Sequence, residues 1–544
     1  MFISLKRPMA AALLAWSCWA PAVAVAQEQH TALPALGEAG DLSLSDERRL
    51  GARIVRDLYA SGDVATDAVL AQYVDNMWRS LYGAARQRGD VSPEMAQQLA
   101  WQVLLINDSA VNAFALPGGY LGVNLGLIAM ADDAHALASV LAHELSHVTQ
   151  RHIARIMNVR QQQSPWLMAA TILAVIAAGQ NTDVGNAALL GGHAAVAQQS
   201  LNFSRDMERE ADRQGLQVQH LAGFDSAGFA RMFAQLQNVN RLNDDGAFPY
   251  LRSHPLTSQR VSDMQLRLAG LPPSPQGALR ADWLDPAVQA LMRARATVLA
   301  STRQDMWQAW VNVAASQPVL AKQADTPTWV LWYRGAVAAT QLQQGDQAWR
   351  WFEMLDASVR STQPNNAALQ RLVVASALHA WQAMADKPAA FNGVPIDQLV
   401  RESLGAAAAV PALSRHAYRS TLIEAASVAA SAPTGTVSRA TQTMAEQGLR
   451  EWLVDYAQDA QAWQVAAGLA QALAQPVRAL RAQAESQAYT GQLDAAKDRL
   501  MAAQALVNQR ATLANGDEQE ASIVAVRLQQ VSDALRAQQE DDKR

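Results

Sequence analysis

Near the middle of the chain, Gly270-Leu271-Pro272-Pro273-Ser274-Pro275-Gln276-Gly277 forms a break that neither helix nor strand can easily cross. Before it, residues 27 to about 270 mix helical periods with an extended, glycine-punctuated stretch from Val103 to Val123, where short strands and turns are expected. After it, the sequence is rich in Ala, Gln and Leu at helical spacing almost to the end. A chain of 544 residues exceeds what one hydrophobic core usually organises, and at roughly 150 residues per domain it asks for two to four. We read a mainly α protein with an α+β domain and short sheet over residues 27–270. A linker over 271–285, a helical domain over 286–535 and a charged tail over 536–544 follow.

Composition narrows the function classes. Half of the residues are hydrophobic and 17% are charged, which excludes an intrinsically disordered chain. The net charge is −5 and there is no long basic run, so no nucleic-acid partner is expected. The single cysteine, Cys18, excludes a disulfide scaffold and a cysteine-ligated metal alike. It lies in a segment that reads as a cleaved secretory signal over residues 1–26. Lys6 and Arg7 precede an apolar stretch from Pro8 to Val25, and Ala24-Val25-Ala26 supplies the small residues before the cut. The other readings of this segment are an uncleaved anchor and a lipoprotein site at Cys18, for which Ala15-Trp16-Ser17 is a poor match.

One further segment, Trp166 to Gly179, is uncharged and mostly apolar, but it is shorter than the roughly 20 residues that cross a bilayer as a helix. It reads as a core helix or covering loop, or as an interfacial segment making peripheral membrane contact. In the second half, Arg478 to Leu506 resembles a helix–turn–helix repeat. Gly491 marks the turn, and Ala484, Leu500 and Ala503 are spaced to let two antiparallel helices pack closely, as in tetratricopeptide repeats. Looser copies surround Gly345-Asp346 and begin at Trp463. An irregular helical bundle is the alternative.

The chemistry lies in Ala134 to Met157, where apolar residues recur at helical spacing and Asp132 or Asp133 is suited to begin the helix. It contains His143-Glu144-Leu145-Ser146-His147. Four residues make slightly more than one helical turn, so both imidazoles project from one face and can share one zinc ion. Glu144 sits beside them, placed to take a proton from water. Downstream, Glu208 and Asp212 are four apart on another helix, so one carboxylate can complete the site while the other orients a ligand histidine. Glu210 points elsewhere. His152 is rotated away from the ligand face of a continuous helix and reads, with His193 and His220, as an ordinary surface histidine.

These elements resemble a known group. His143 to His147, the pair Glu208 and Asp212, the preceding Val111 to Asn124 and the following Ser253-His254-Pro255 with Arg260 are similar to the CAAX-prenyl-protease and HtpX group of zinc metallopeptidases. A signal peptide with C-terminal tetratricopeptide-like helices resembles its BepA-like periplasmic branch. The resemblance implies a zincin-type metallopeptidase domain holding one Zn2+ per chain through His143, His147 and Glu208. It implies Glu144 as base, Asp212 supporting the site, and His254 as a regulatory residue able to occupy the fourth ligand position. It also implies periplasmic work on unfolded or misassembled outer-membrane proteins, with helical repeats that dock on the assembly machinery. The transmembrane helices of HtpX and the prenyl proteases have no counterpart here, which favours soluble or outer-membrane clients.

Several residues fit more than one role. Ala113 to Val123 is either a core strand or an edge that pairs with an extended substrate. His254 is an inhibitory ligand, a hydrogen-bond donor to the transition state or an inconsequential loop residue. Arg260 either stabilises negative charge or pairs with Asp212. The alternative function is a chaperone or scaffold whose zinc site is latent or structural, but a structural site has no use for Glu144. A helical adaptor with an accidental motif is disfavoured by the ordered occurrence of Glu208, Asp212 and His254.

Overall fold

The computed structural model describes residues 42–159, 205–242, 249–273, 279, 281–316, 326–509 and 517–541. The signal segment, Trp166 to Gly179, His193 and much of the Pro-rich break lie outside them. The described structure is mainly helical with one small mixed sheet, as the sequence reading expects. Helices α1 (Leu44–Ser61), α2 (Ala68–Arg88) and α3 (Pro93–Gln98) lead into strands β1 (Gln102–Ile106), β2 (Ala113–Leu116) and β3 (Tyr120–Asn124). Helices α4 (Leu125–Met130), α5 (Ala134–Thr149) and α6 (His152–Val159) follow, then α7 (Arg205–Leu221), α8 (Gly228–Leu242), α9 (Pro249–Ser253) and α10 (Ser258–Ala269).

Strand β3 is central. It pairs parallel with β1, from Gln102 opposite Tyr120 to Ile106 opposite Asn124, and antiparallel with β2, from Ala113 opposite Val123 to Leu116 opposite Tyr120. Pro117, Gly118 and Gly119 make the β2–β3 turn, with both glycines at positive φ. One face of the sheet rests on α1, whose Leu50, Ile54 and Leu58 pack with Leu104, Ile106 and Leu116. Residues such as Leu105, Leu121 and Val123 join the main core with α2 and α5. Helix α5 is buried almost throughout its length, so its polar motif residues are enclosed with its apolar ones.

From Pro286 to Asp541 the described structure is helical apart from short turns and a two-stranded hairpin at Ala390–Pro395. Its first helix, α11 (Pro286–Leu299), packs on α4, and Gln289 donates to the Ala131 carbonyl at 2.7 Å. Arg295 of α11 makes a buried ion pair with Asp67 at 2.7 Å, just ahead of α2. Further along, Ser420 donates to Gln72 at 2.7 Å through its backbone and Gln461 donates to the Thr66 carbonyl at 2.9 Å. The helical part is therefore fastened to the preceding part of the chain along α2, and one apolar core runs through both. At the Gly491 turn, α12 (Pro476–Tyr489) meets α13 (Leu493–Gln509), and Ala484, Leu500 and Ala503 are buried together. No helix among the described residues is long and apolar enough to cross a membrane.

Candidate metal centre

Asp133 begins α5 by accepting a hydrogen bond from the Ala136 N–H, which satisfies one of the unpaired donors at the helix start. Ten residues on, His143 and His147 stand one turn apart with their Nε2 atoms 3.0 Å from each other. Helix α7 reaches them because Gly215 lies against α5: a Cβ there would stand 3.0 Å from Ala142 C and O and from His143 N. The close approach puts Glu208 between the rings, Oε1 3.5 Å from His147 Nε2 and Oε2 3.6 Å from His143 Nε2. His254, just past α9, completes the group, its Nδ1 3.4 Å from His143 Nε2 and 3.0 Å from Glu208 Oε1.

These four residues are buried, and one ligand atom from each lies within 4.8 Å of the others. Ligand atoms about 2.0–2.2 Å from a tetrahedral metal are roughly 3.3–3.5 Å apart, close to the separations found here. Nitrogen and carboxylate donors in this proportion suit a zinc-like ion. The donor set therefore fits a metal ion in both chemistry and spacing.

Around the donors lies a ring of orienting groups. His143 Nδ1 faces Asp212 Oδ1 at 3.0 Å, and Arg260 grips both Asp212 oxygens at 2.7 Å while reaching Glu208 Oε2 at 2.8 Å. Of the two roles open to Arg260 in the sequence, pairing with Asp212 is realised, and the same guanidinium also serves Glu208. Arg260 further donates to the Pro255 carbonyl at 3.0 Å, tying the His254 segment to α10. Tyr250 packs against His254 with ring centroids 4.7 Å apart and planes tilted by 31°, a contact no motif announces.

Glu144 is fully buried, and its Oε2 accepts the Ala115 N–H of β2 at 3.1 Å while Oε1 lies 3.5 Å from His254 Nε2. Burial raises its carboxyl above the ordinary range, opposed by the nearby His254 and His143. Glu208 behaves oppositely: burial would raise it, but His254 and His143 outweigh that and hold it well below the usual range. Asp212 is likewise lowered, because Arg260 and His143 overcome its burial. Two neighbouring carboxylates are thus set apart, Glu144 raised and Glu208 lowered.

His152 departs from the sequence reading. It is wholly buried, with Nδ1 2.8 Å from His147 Nδ1 and Nε2 3.1 Å from Glu210 Oε2. The helix is not continuous: α5 ends at Thr149, Arg151 takes a left-handed φ of 52°, and α6 begins at His152. That kink folds the imidazole back over His147, whereas an unbroken helix would turn it away. Glu210 lies outside the group of four, where it holds His152 and pairs with Arg155 at 2.9 Å. Neither glycine nor proline marks the kink in Ala134 to Met157, so periodicity gives no sign of it. His220 is half-buried against Ser226, apart from this cluster.

Comparison with known proteins agrees with this geometry. Residues 86–267 match the family model of Peptidase family M48. The chain is 32% identical over 269 residues to the beta-barrel assembly-enhancing protease of Escherichia coli (strain K12), covering 49% of this chain and 53% of the relative. It is 31% identical over 245 residues to the protein of that name in Yersinia pestis, covering 45% and 48%. A mitochondrial metalloendopeptidase of Saccharomyces cerevisiae is 25% identical over 196 residues, covering 35% and 54%. The chain thus spans about half the length of the relatives it matches. Residues 86–267, which carry the buried donors, are thus similar to Peptidase family M48, in a chain similar to the beta-barrel assembly-enhancing proteases.

Proposed function

We propose that the chain is a zinc-dependent endopeptidase exported to the periplasm, where it acts on unfolded or misassembled outer-membrane β-barrel proteins. The observation that carries the peptidase reading is the convergence of His143, His147, Glu208 and His254 within 4.8 Å, with the Glu144 carboxylate beside them. The names of the relatives support the client class, and the reading of residues 1–26 as an export signal supports the compartment. In this account residues 27–270 are the peptidase domain, 271–285 the linker and 286–535 a tetratricopeptide-like array that holds clients or the assembly machinery and lends a chaperone-like role.

His143, His147 and Glu208 are the ligands in this reading. Zinc, when bound, polarises the peptide carbonyl and lowers the pKa of water to about 7. Glu144 takes the proton of the attacking water, a task suited by its raised pKa, and passes it to the leaving amine. Asp212 and Arg260 hold His143 and Glu208 in place. Strand β2 pairs with β3 alone among the described residues, its Ala115 N–H donates to Glu144, and in this reading an extended substrate pairs along that edge by displacing the Glu144 contact. His254 stands between the ligand cluster and Glu144, where the attacking water belongs. It therefore acts as a latch, and the 249–255 segment moves aside when a client engages the helical array.

Metal analysis tests the ligand assignment. The purified protein should carry about one zinc per chain, and His147→Ala or Glu208→Ala should reduce that occupancy. Full zinc retention in both variants contradicts it.

A further inference from the structure

We propose that His152, backed by Glu210, is a positioning residue that fixes the ring of His147 and keeps its Nε2 lone pair directed into the metal centre. The inference rests on the reading of His143, His147 and Glu208 as metal ligands. Its basis is a chain of buried contacts in which each atom's role determines the next. Glu210 Oε2, 3.1 Å from His152 Nε2, is a carboxylate oxygen and can only accept. The hydrogen of a neutral His152 therefore sits on Nε2, which leaves a lone pair on Nδ1. That lone pair lies 2.8 Å from His147 Nδ1, so His147 is the donor there and carries its own hydrogen on Nδ1. Nε2 of His147, the atom nearest Glu208 and His143, is then left with its lone pair.

The fold spends conformational strain on this arrangement. Arg151 adopts a left-handed backbone that non-glycine residues seldom take, and its guanidinium bonds to the buried Glu47 and to the Leu42 carbonyl at 2.7 Å. Those ties secure the kink that turns α6 back over α5. Arg155, on α6, donates to the same Glu210 oxygen, Oε2, at 2.9 Å. The two histidines of the motif are thus served separately. His143 has Asp212 and Arg260 behind it, and His147 has His152, Glu210 and Arg155. Such partners of ligand histidines typically contribute about 10–100-fold to metal affinity.

The test uses the full chain carrying Glu144→Gln, to prevent self-cleavage, and compares further variants in that background. Zinc affinity is measured by competition with a chelator, the ligand field by the visible spectrum of the cobalt-loaded protein, and the fold by the melting temperature of the metal-free protein. His152→Ala should weaken zinc binding by about 10–100-fold and shift the cobalt spectrum. His152→Gln, with both a donor and an acceptor, should recover part of the loss. Glu210→Gln should weaken binding in the same direction, and joining it to His152→Ala should add little, because the two act as one unit. Wild-type zinc affinity and an unchanged cobalt spectrum in His152→Ala overturn the proposal, even if its melting temperature falls. If that variant does not fold, the partly exposed Glu210→Gln decides the matter: weakened zinc binding supports the proposal, and unchanged binding overturns it. A parent protein without zinc, unaffected by His147→Ala, removes the ligand reading and this inference together.

Discussion

At His254 a single imidazole faces both parts of the proposed chemistry, with Nδ1 among the ligand atoms and Nε2 3.5 Å from Glu144 Oε1. A side chain so placed excludes water from the space between ligands and base. Replacing it with alanine opens that space and keeps His143, His147 and Glu208 as ligands, although Glu208 loses its 3.0 Å contact with His254. His254→Ala should therefore cleave itself or an unfolded substrate such as casein faster than the wild type while keeping its zinc. Activity as low as that of Glu144→Gln makes His254 a catalytic donor instead, and the latch is wrong. At this scale much was legible. His143 and His147 follow from helical spacing, Glu208 and Asp212 from a second spacing of four, and His254 from resemblance. His152 and Tyr250 were not, because their positions depend on a kink and a ring contact that no residue type announces.

At the scale of elements, the centre depends on how closely two helices approach. Gly215 is the residue that permits α7 to lie on α5, and its missing side chain faces the backbone of Ala142 and His143. Gly215→Val should push the helices apart, lower stability by about 1–3 kcal/mol through overpacking and weaken zinc binding, since Glu208 and Asp212 move with α7. Thermal unfolding and chelator competition read both effects, and unchanged zinc affinity shows that α7 has no such control over the site. The strands were legible in Val103 to Val123, where alternating apolar residues and the Pro117-Gly118-Gly119 turn point to short extended segments. Their order was not, since nothing local places β3 between β1 and β2.

Across the whole molecule, the helical part is held to the N-terminal part by polar ties along α2 as well as by a shared core. The strongest in character is Arg295 with Asp67, both buried and 228 residues apart in sequence. Burial would raise the Asp67 carboxyl, but Arg295 outweighs it and holds the carboxyl below its ordinary value. A depressed folded-state pKa contributes stability above the unfolded value of about 3.9, and that contribution is lost as pH falls through the lower folded value. Asp67→Asn should therefore cost about 3–5 kcal/mol at neutral pH by leaving Arg295 without its charge partner. Its deficit should shrink as the medium is acidified below about pH 4. Denaturant unfolding of both proteins across pH measures this, and a deficit that stays constant rules out the pair as its source. Sequence shows a Pro-rich break and two characters of chain, but no pattern links Asp67 with Arg295 or Gln72 with Ser420.

The proposed metal-dependent hydrolysis depends on Glu144 as its base. The most direct measurement is casein or client cleavage by wild type and Glu144→Gln side by side, with zinc content and melting temperature determined on the same samples. The substitution changes the proton acceptor and leaves the ligands alone. Glu144→Gln should keep its zinc and its fold while cleavage falls by about two to four orders of magnitude. Cleavage by Glu144→Gln at the wild-type rate, with zinc bound to both, contradicts the account.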